Sequence, residues 1–159
     1  MTKNPELLDA LSLKASIFLR QENNDEALKI IDQVLQKDAG HVDAISLKTL
    51  VLMKNKAFDE ALAVLTPLLK DNENNISLLL LKIQLDTQKG DIDMLVTDYE
   101  KLVELRPDDN KVKFALSGSY LKANKIKQGK DLLKSLVESK KEVVETELAL
   151  LNYLYSVDS

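Results

Sequence analysis

Apolar positions in this chain fall into helical stripes. Ala27, Leu28, Ile31, Val34 and Leu35 are spaced three, four and seven residues apart, which gathers them on one face of a helix. Leu62, Leu65, Leu68 and Leu69 repeat the pattern further along. Polar stretches separate such segments: Asp38-Ala39-Gly40-His41, Asp71-Asn72-Glu73-Asn74-Asn75 and Pro107-Asp108-Asp109-Asn110. Their Asp and Asn side chains can accept hydrogen bonds from the free amides that open the next helix. Lys89-Gly90-Asp91 reads as a tight turn, with Gly90 free to take positive φ. These stretches are turns and not linkers, so no interior domain boundary is expected.

The stripes recur with a fixed step. Leu-Lys occurs at Leu13-Lys14, Leu47-Lys48 and Leu81-Lys82, and Asp25-Glu26-Ala27-Leu28 returns as Asp59-Glu60-Ala61-Leu62, every time 34 residues on. Independent markers sharing one step indicate a repeated helix-turn-helix unit. Taking that frame, units span about 8–41, 42–75, 76–109 and 110–143, with a terminal helix of about 144–157. One hairpin cannot bury its own stripe, so neighbours must stack into a single continuous solenoid. Alanine at the helix crossing, as at Ala27 and Ala61, lets two backbones approach.

A 34-residue helical unit resembles the tetratricopeptide repeat. Leu11, Ala15, Phe18, Ala27, Ile31 and Val34 fill that motif in the first unit, and Ile45, Thr49, Leu52, Ala61, Leu65 and Leu68 fill it in the second. The fourth unit offers Leu116, Ser117, Tyr120, Leu133 and Leu136, and Pro107 falls on the closing-proline place of the third. Departures are Leu95 and Gly129 where the second helix usually has alanine, and Asp86 at a place usually apolar. The last two units are therefore expected to show looser or shifted helix pairing. The resemblance implies an all-α fold, an α-α superhelix with a concave side.

Composition agrees with that class. Four glycines, three prolines and 4% aromatics are too few turn and strand formers for a sandwich or barrel, while 45% hydrophobic residues suffice for a core. A net charge of −4 gives no basic excess to offset phosphate, which argues against nucleic acid. Cysteine is absent, excluding disulfides and thiolate metal sites. Apolar runs such as Leu78 to Leu81 are too short for a bilayer, so the chain reads as soluble without membrane insertion. Nothing separates a cytoplasmic from a periplasmic location.

No catalytic constellation emerges. His41 is the one histidine, and alone in a polar turn it reads as a solvated or helix-capping residue. Asp91, Asp93, Asp108 and Asp109 lack the donor pattern of a calcium loop and suit helix N-termini. The glycines are isolated, so no phosphate loop forms. Neither an enzymatic activity, a metal nor a cofactor is expected.

What remains is a surface for another protein or peptide. In the tetratricopeptide family the inner face of each first helix contacts the ligand. By resemblance that face holds Asp9, Ser12, Ser16 and Arg20, then Asp43, Ser46, Leu50, Met53 and Lys54. Next come Ser77, Leu80, Gln84, Thr87 and Gln88, then Lys111, Phe114, Gly118, Leu121 and Lys122. Leu50, Met53, Leu80, Phe114 and Leu121 would supply apolar contact beside Gln84, with Lys54, Lys111 and Lys122 facing acidic flanks of the partner. Ser12 and Ser16 stand where chaperone-binding members carry a carboxylate clamp, so a chaperone tail is not implied. Lys14, Lys48 and Lys82 form either a basic ladder or stems covering a helix edge. The terminal segment, with Leu148, Leu150, Leu151, Tyr153, Leu154 and Tyr155, is apolar around most of its circumference. Two expectations follow from it: that the chain belongs to a longer array, or that it forms a homodimer as a self-associating scaffold.

Overall fold

A computed structural model of the protein describes residues 5–138 and Leu148. Eight α-helices follow one another: α1 (Pro5–Arg20), α2 (Asn24–Lys37), α3 (Val42–Lys54), α4 (Phe58–Asp71), α5 (Ile76–Lys89), α6 (Ile92–Leu105), α7 (Asn110–Lys122) and α8 (Ile126–Glu138). The described residues contain no strand. Even-numbered helices begin at Asn24, Phe58, Ile92 and Ile126, 34 residues apart each time, and α3, α5 and α7 keep the same step. Of the terminal helix expected at about 144–157, only Leu148 is described, helical and exposed; the rest of that expectation lies outside the described residues.

Local chemistry sets the helix ends. Asn75 Oδ1 accepts from the Leu78 amide, Asp91 from Met94, and Asp109 from Lys111 and Val112. At α3 the cap is His41, whose Nδ1 accepts from the Ala44 amide at 3.4 Å. Past the ends of α1, α3, α5 and α7, one residue in each turn is left-handed: Glu22 (φ 61°), Lys56 (59°), Gly90 (78°) and Asn124 (59°). In three of these turns the helix closes with paired amide bonds. Glu22 donates to Leu19 and Asn23 to Phe18, and the Lys56–Ala57 and Asn124–Lys125 pairs do the same.

The chain divides into two compact units, Met1–Lys89 with α1–α5 and Gly90–Ser159 with α6–α8. The division falls inside the expected third repeat, where the sequence gives no boundary signal. In the first unit Ala27 of α2 is buried, and Ile30, Ile31 and Val34 of the same helix are buried against Leu8 and Ala15 of α1 and Ala44 and Val51 of α3. Ile45, Leu65, Leu68 and Leu78 continue this packing, and Met53, Ala61 and Leu85 form a third cluster. Each large apolar side chain removed from water in this way contributes about 1.5–3 kcal/mol before the entropy of ordering it.

Asp86 shows how an acid fits a place usually apolar. It is 1% exposed, and the Lys82 ammonium, itself 13% exposed, reaches it at 2.8 Å one helical turn away. In the second unit Leu95, Val96, Leu102, Leu116, Leu133 and Leu136 are buried. There α7 and α8 pack closely: a Cβ on Gly129 would stand 2.6 Å from Leu121 Cδ2. The looser pairing expected of the fourth repeat is not found.

Candidate functional site

In the first unit α1, α3 and α5 stack side by side. Their shared exposed face forms a trough with two depressions. One, about 280 Å³, lies between α1 and α3 and is lined by Asp9, Ser12, Ser16, Asp43 and Ser46 with Leu13 and Leu47. The other, about 550 Å³, lies between α3 and α5, where Leu50, Leu80, Leu81 and Gln84 meet Asp43 and Ser46. Asp43 and Ser46 line both, so the trough is continuous across α3.

Its floor is apolar and open. Leu13 is 64% exposed, Leu80 43% and Leu50 38%. Exposed leucines gathered in a depression are unusual on a surface with nothing to bind. The long axis also carries a charge gradient. Asp9 and Asp43 sit near the helix N-termini, while Arg20 and Lys54 close the C-terminal ends. Lys54 stands 3.8 Å from Glu22, both well exposed, so that contact is weak. Asp9 is fixed differently: His41 Nε2 lies 3.1 Å from its Oδ1. Because His41 Nδ1 accepts from the Ala44 amide, Nε2 carries the proton and donates to Asp9.

The structure sorts the residues expected from sequence. Leu50, Lys54, Leu80 and Gln84 are exposed on the first unit, all but Lys54 in the wider depression. On α7 of the second unit, Lys111 and Lys122 are exposed and Phe114 is half-buried. Met53 and Leu121 need correction. Met53 is 2% exposed and packs with Ala61 of α4. Leu121, 68 residues later and so at the same place in the repeat, lies over Gly129 of α8. Both point into their hairpins, because the small residue of the second helix leaves a hollow that the first helix must fill.

Sequence reasoning missed Leu13, Leu47 and Leu81 as trough residues. Their signal was present: they are the leucines of the repeated Leu-Lys pair. The lysines of that pair each have a contact within the chain. Lys48 binds Asp32 at 2.9 Å, Lys82 binds Asp86, and Lys14 lies 5.8 Å above the Phe18 ring. Among the described residues no group of three or more His, Cys, Asp or Glu is arranged to hold a metal ion, and no helix is long and apolar enough to cross a membrane.

No protein-family profile matches this chain, and no curated protein matches it by sequence. Solved structures do. A tetratricopeptide repeat protein from Parabacteroides merdae is 18% identical over 89% of this chain and 56% of its own, with a TM-score of 0.72. MamA from Desulfovibrio magneticus is 19% identical over 82% of this chain and 74% of its own, with a TM-score of 0.66. YrrB, a tetratricopeptide repeat protein with an unusual peptide-binding site, is 15% identical over 92% of this chain and 75% of its own, at 0.67. The fold is that of the tetratricopeptide repeat. It is an all-α fold of the α-α superhelix class, as the 34-residue step and the alanine crossings imply.

Proposed function

We propose that the protein is a protein-interaction module that holds a segment of another protein in the trough of α1, α3 and α5. The observation that carries this reading is the exposure of Leu50 and Leu80 side by side in one depression of about 550 Å³. Helices of this fold hide their stripes in the stack, so leucines left open on the remaining face await a partner. YrrB, similar in fold, has a peptide-binding site, which supports the reading.

Leu50 and Leu80 are the anchors, with Leu13, Leu47 and Leu81 widening the apolar floor and Gln84 offering an amide to the partner backbone. Buried apolar anchors supply most of the affinity of such interfaces, while rim charges such as Lys54 tune association. Lys111, Phe114 and Lys122 occupy the corresponding face of α7 and are proposed as contacts of the second unit.

The test is affinity capture with the full chain, mapping of the captured protein to its minimal segment, and calorimetric titration of that segment. Leu50→Asp combined with Leu80→Asp should weaken binding by roughly tenfold or more, with an unchanged circular dichroism melt. Full affinity in this variant overturns the reading. Sedimentation of the isolated protein covers the scaffold alternative, which requires a particle heavier than one chain.

A further inference from the structure

The depression between α1 and α3 adds a polar chemistry of its own to the Leu13 and Leu47 part of the floor. Apart from the Ser12 hydroxyl, its polar side chains present hydrogen-bond acceptors. Asp9 and Asp43 contribute carboxylates, and no lysine or arginine lines the depression. The Ser16 hydroxyl spends its proton on the Leu13 carbonyl at 2.7 Å and that of Ser46 on the Val42 carbonyl at 2.9 Å, leaving both oxygens as acceptors. Ser12 is the independent sign of a missing ligand: it is 2% exposed, lines the depression, and its hydroxyl has no hydrogen-bond partner. A buried hydroxyl in that state costs stability unless something satisfies it.

We propose that this depression is a subsite for one basic side chain, an arginine or lysine of the segment bound in the trough. The proposal rests on the reading of the trough as a segment-binding surface and adds what the segment must carry. A cup of acceptors with two carboxylates and no resident cation is completed by a cationic donor, and a guanidinium or ammonium supplies several N–H groups at once. The volume of about 280 Å³ suits one long side chain. His41 holds Asp9 from outside the cup at 3.1 Å, so one carboxylate is oriented before the ligand arrives. Asp43 has no ion pair or hydrogen bond of its own among the described residues and is free to take the incoming charge.

The subsite also fixes a spacing. Asp43 and Leu50 are two turns apart on α3, about 10 Å at 1.5 Å per residue. An extended segment advances about 3.3 Å per residue. The basic residue should therefore stand about three positions from the apolar residue that meets Leu50.

A random-peptide display library panned on the full chain tests this. The wild-type protein should enrich peptides with Arg or Lys about three positions from a large apolar residue. The D9N/D43N variant, whose amides preserve shape and can still accept from His41, should keep the apolar enrichment and lose the basic one. Synthetic peptides from the wild-type selection should bind it roughly tenfold or more weakly. D43K should move the preference at that position to Asp or Glu. Absence of a basic preference in wild type, or its persistence in D9N/D43N and D43K, overturns the subsite while leaving the trough intact. Selected peptides that bind L50D/L80D as tightly as wild type, or a selection that yields no binder, overturn the trough reading together with it.

Discussion

Leu121 closes over Gly129: a Cβ there would stand 2.6 Å from Leu121 Cδ2 and 3.2 Å from the Ser117 carbonyl oxygen. At Gly118, on the same pair of helices, an added Cβ meets nothing within 4 Å. Replacing glycine by alanine inside a helix ordinarily gains about 0.5–1 kcal/mol. Gly118→Ala should show that gain. Gly129→Ala should lose it, because overpacking costs about 1–3 kcal/mol, and its net effect is destabilising. Denaturant titrations of a double-mutant cycle check the cause. Leu121→Ala should cost less in the Gly129→Ala background than alone, and additive effects would refute the contact.

The left-handed turn residues make a second prediction. Glu22, Lys56 and Asn124 occupy the place that Gly90 fills. A side chain in that conformation costs about 1–2 kcal/mol, less for asparagine. Lys56→Gly should therefore stabilise by up to about 1 kcal/mol after the added freedom of the unfolded chain is subtracted, and Asn124→Gly by less. Gly90→Ala should destabilise by about 1 kcal/mol or more. Thermal melts of the three variants decide it; a stabilised Gly90→Ala would contradict the turn geometry.

These turns also show what the sequence could and could not tell. The 34-residue step is legible because Leu-Lys and Asp-Glu-Ala-Leu recur as letters, and Gly90 announces its turn because glycine favours positive φ. Glu22 and Lys56 announce nothing, since neither is a turn former; tertiary packing of the paired helices forces their backbone. The site was legible to the same degree. Leu50 and Leu80 follow from the repeat frame. Sequence alone puts Met53 and Leu121 in the groove, because two adjacent faces of a helix differ by one residue of frame. Only the hollow above Ala61 and Gly129 decides which way they turn.

The lysines of the repeated pair differ in energy although they match in sequence. Lys82 meets an Asp86 that is 1% exposed, whereas Lys48, 30% exposed, meets an Asp32 that is 50% exposed. Removing one partner of a buried pair leaves an uncompensated charge, at a cost of about 3–5 kcal/mol. Removing one partner of an open pair costs about 0–1 kcal/mol. Lys82→Met should thus destabilise several times more than Lys48→Met in urea titrations. Equal effects would show that the Lys82–Asp86 pair is as open to water as the Lys48–Asp32 pair.

Alkaline pH should expose the pairing of α6 with α7. The Tyr120 hydroxyl donates to Glu100 at 2.7 Å. Burial, and then the hydrogen bond to Glu100 and its negative charge, push the Tyr120 phenol up to about 12. In the unfolded chain a tyrosine titrates near 10. The folded form thus keeps its proton where the unfolded form has lost it. This contribution to stability is fully present below about pH 10 and disappears as pH rises towards 12. Spectrophotometric titration of tyrosinate should show a late-titrating group in wild type that is missing from Tyr120→Phe. Glu100→Gln removes the charge while keeping an acceptor, so it should bring that group part of the way back. The stability of Tyr120→Phe should fall less steeply between about pH 10 and 12 than that of wild type. A parallel fall in the two proteins would show that the phenol of Tyr120 ionises as freely in the folded chain as in the unfolded one.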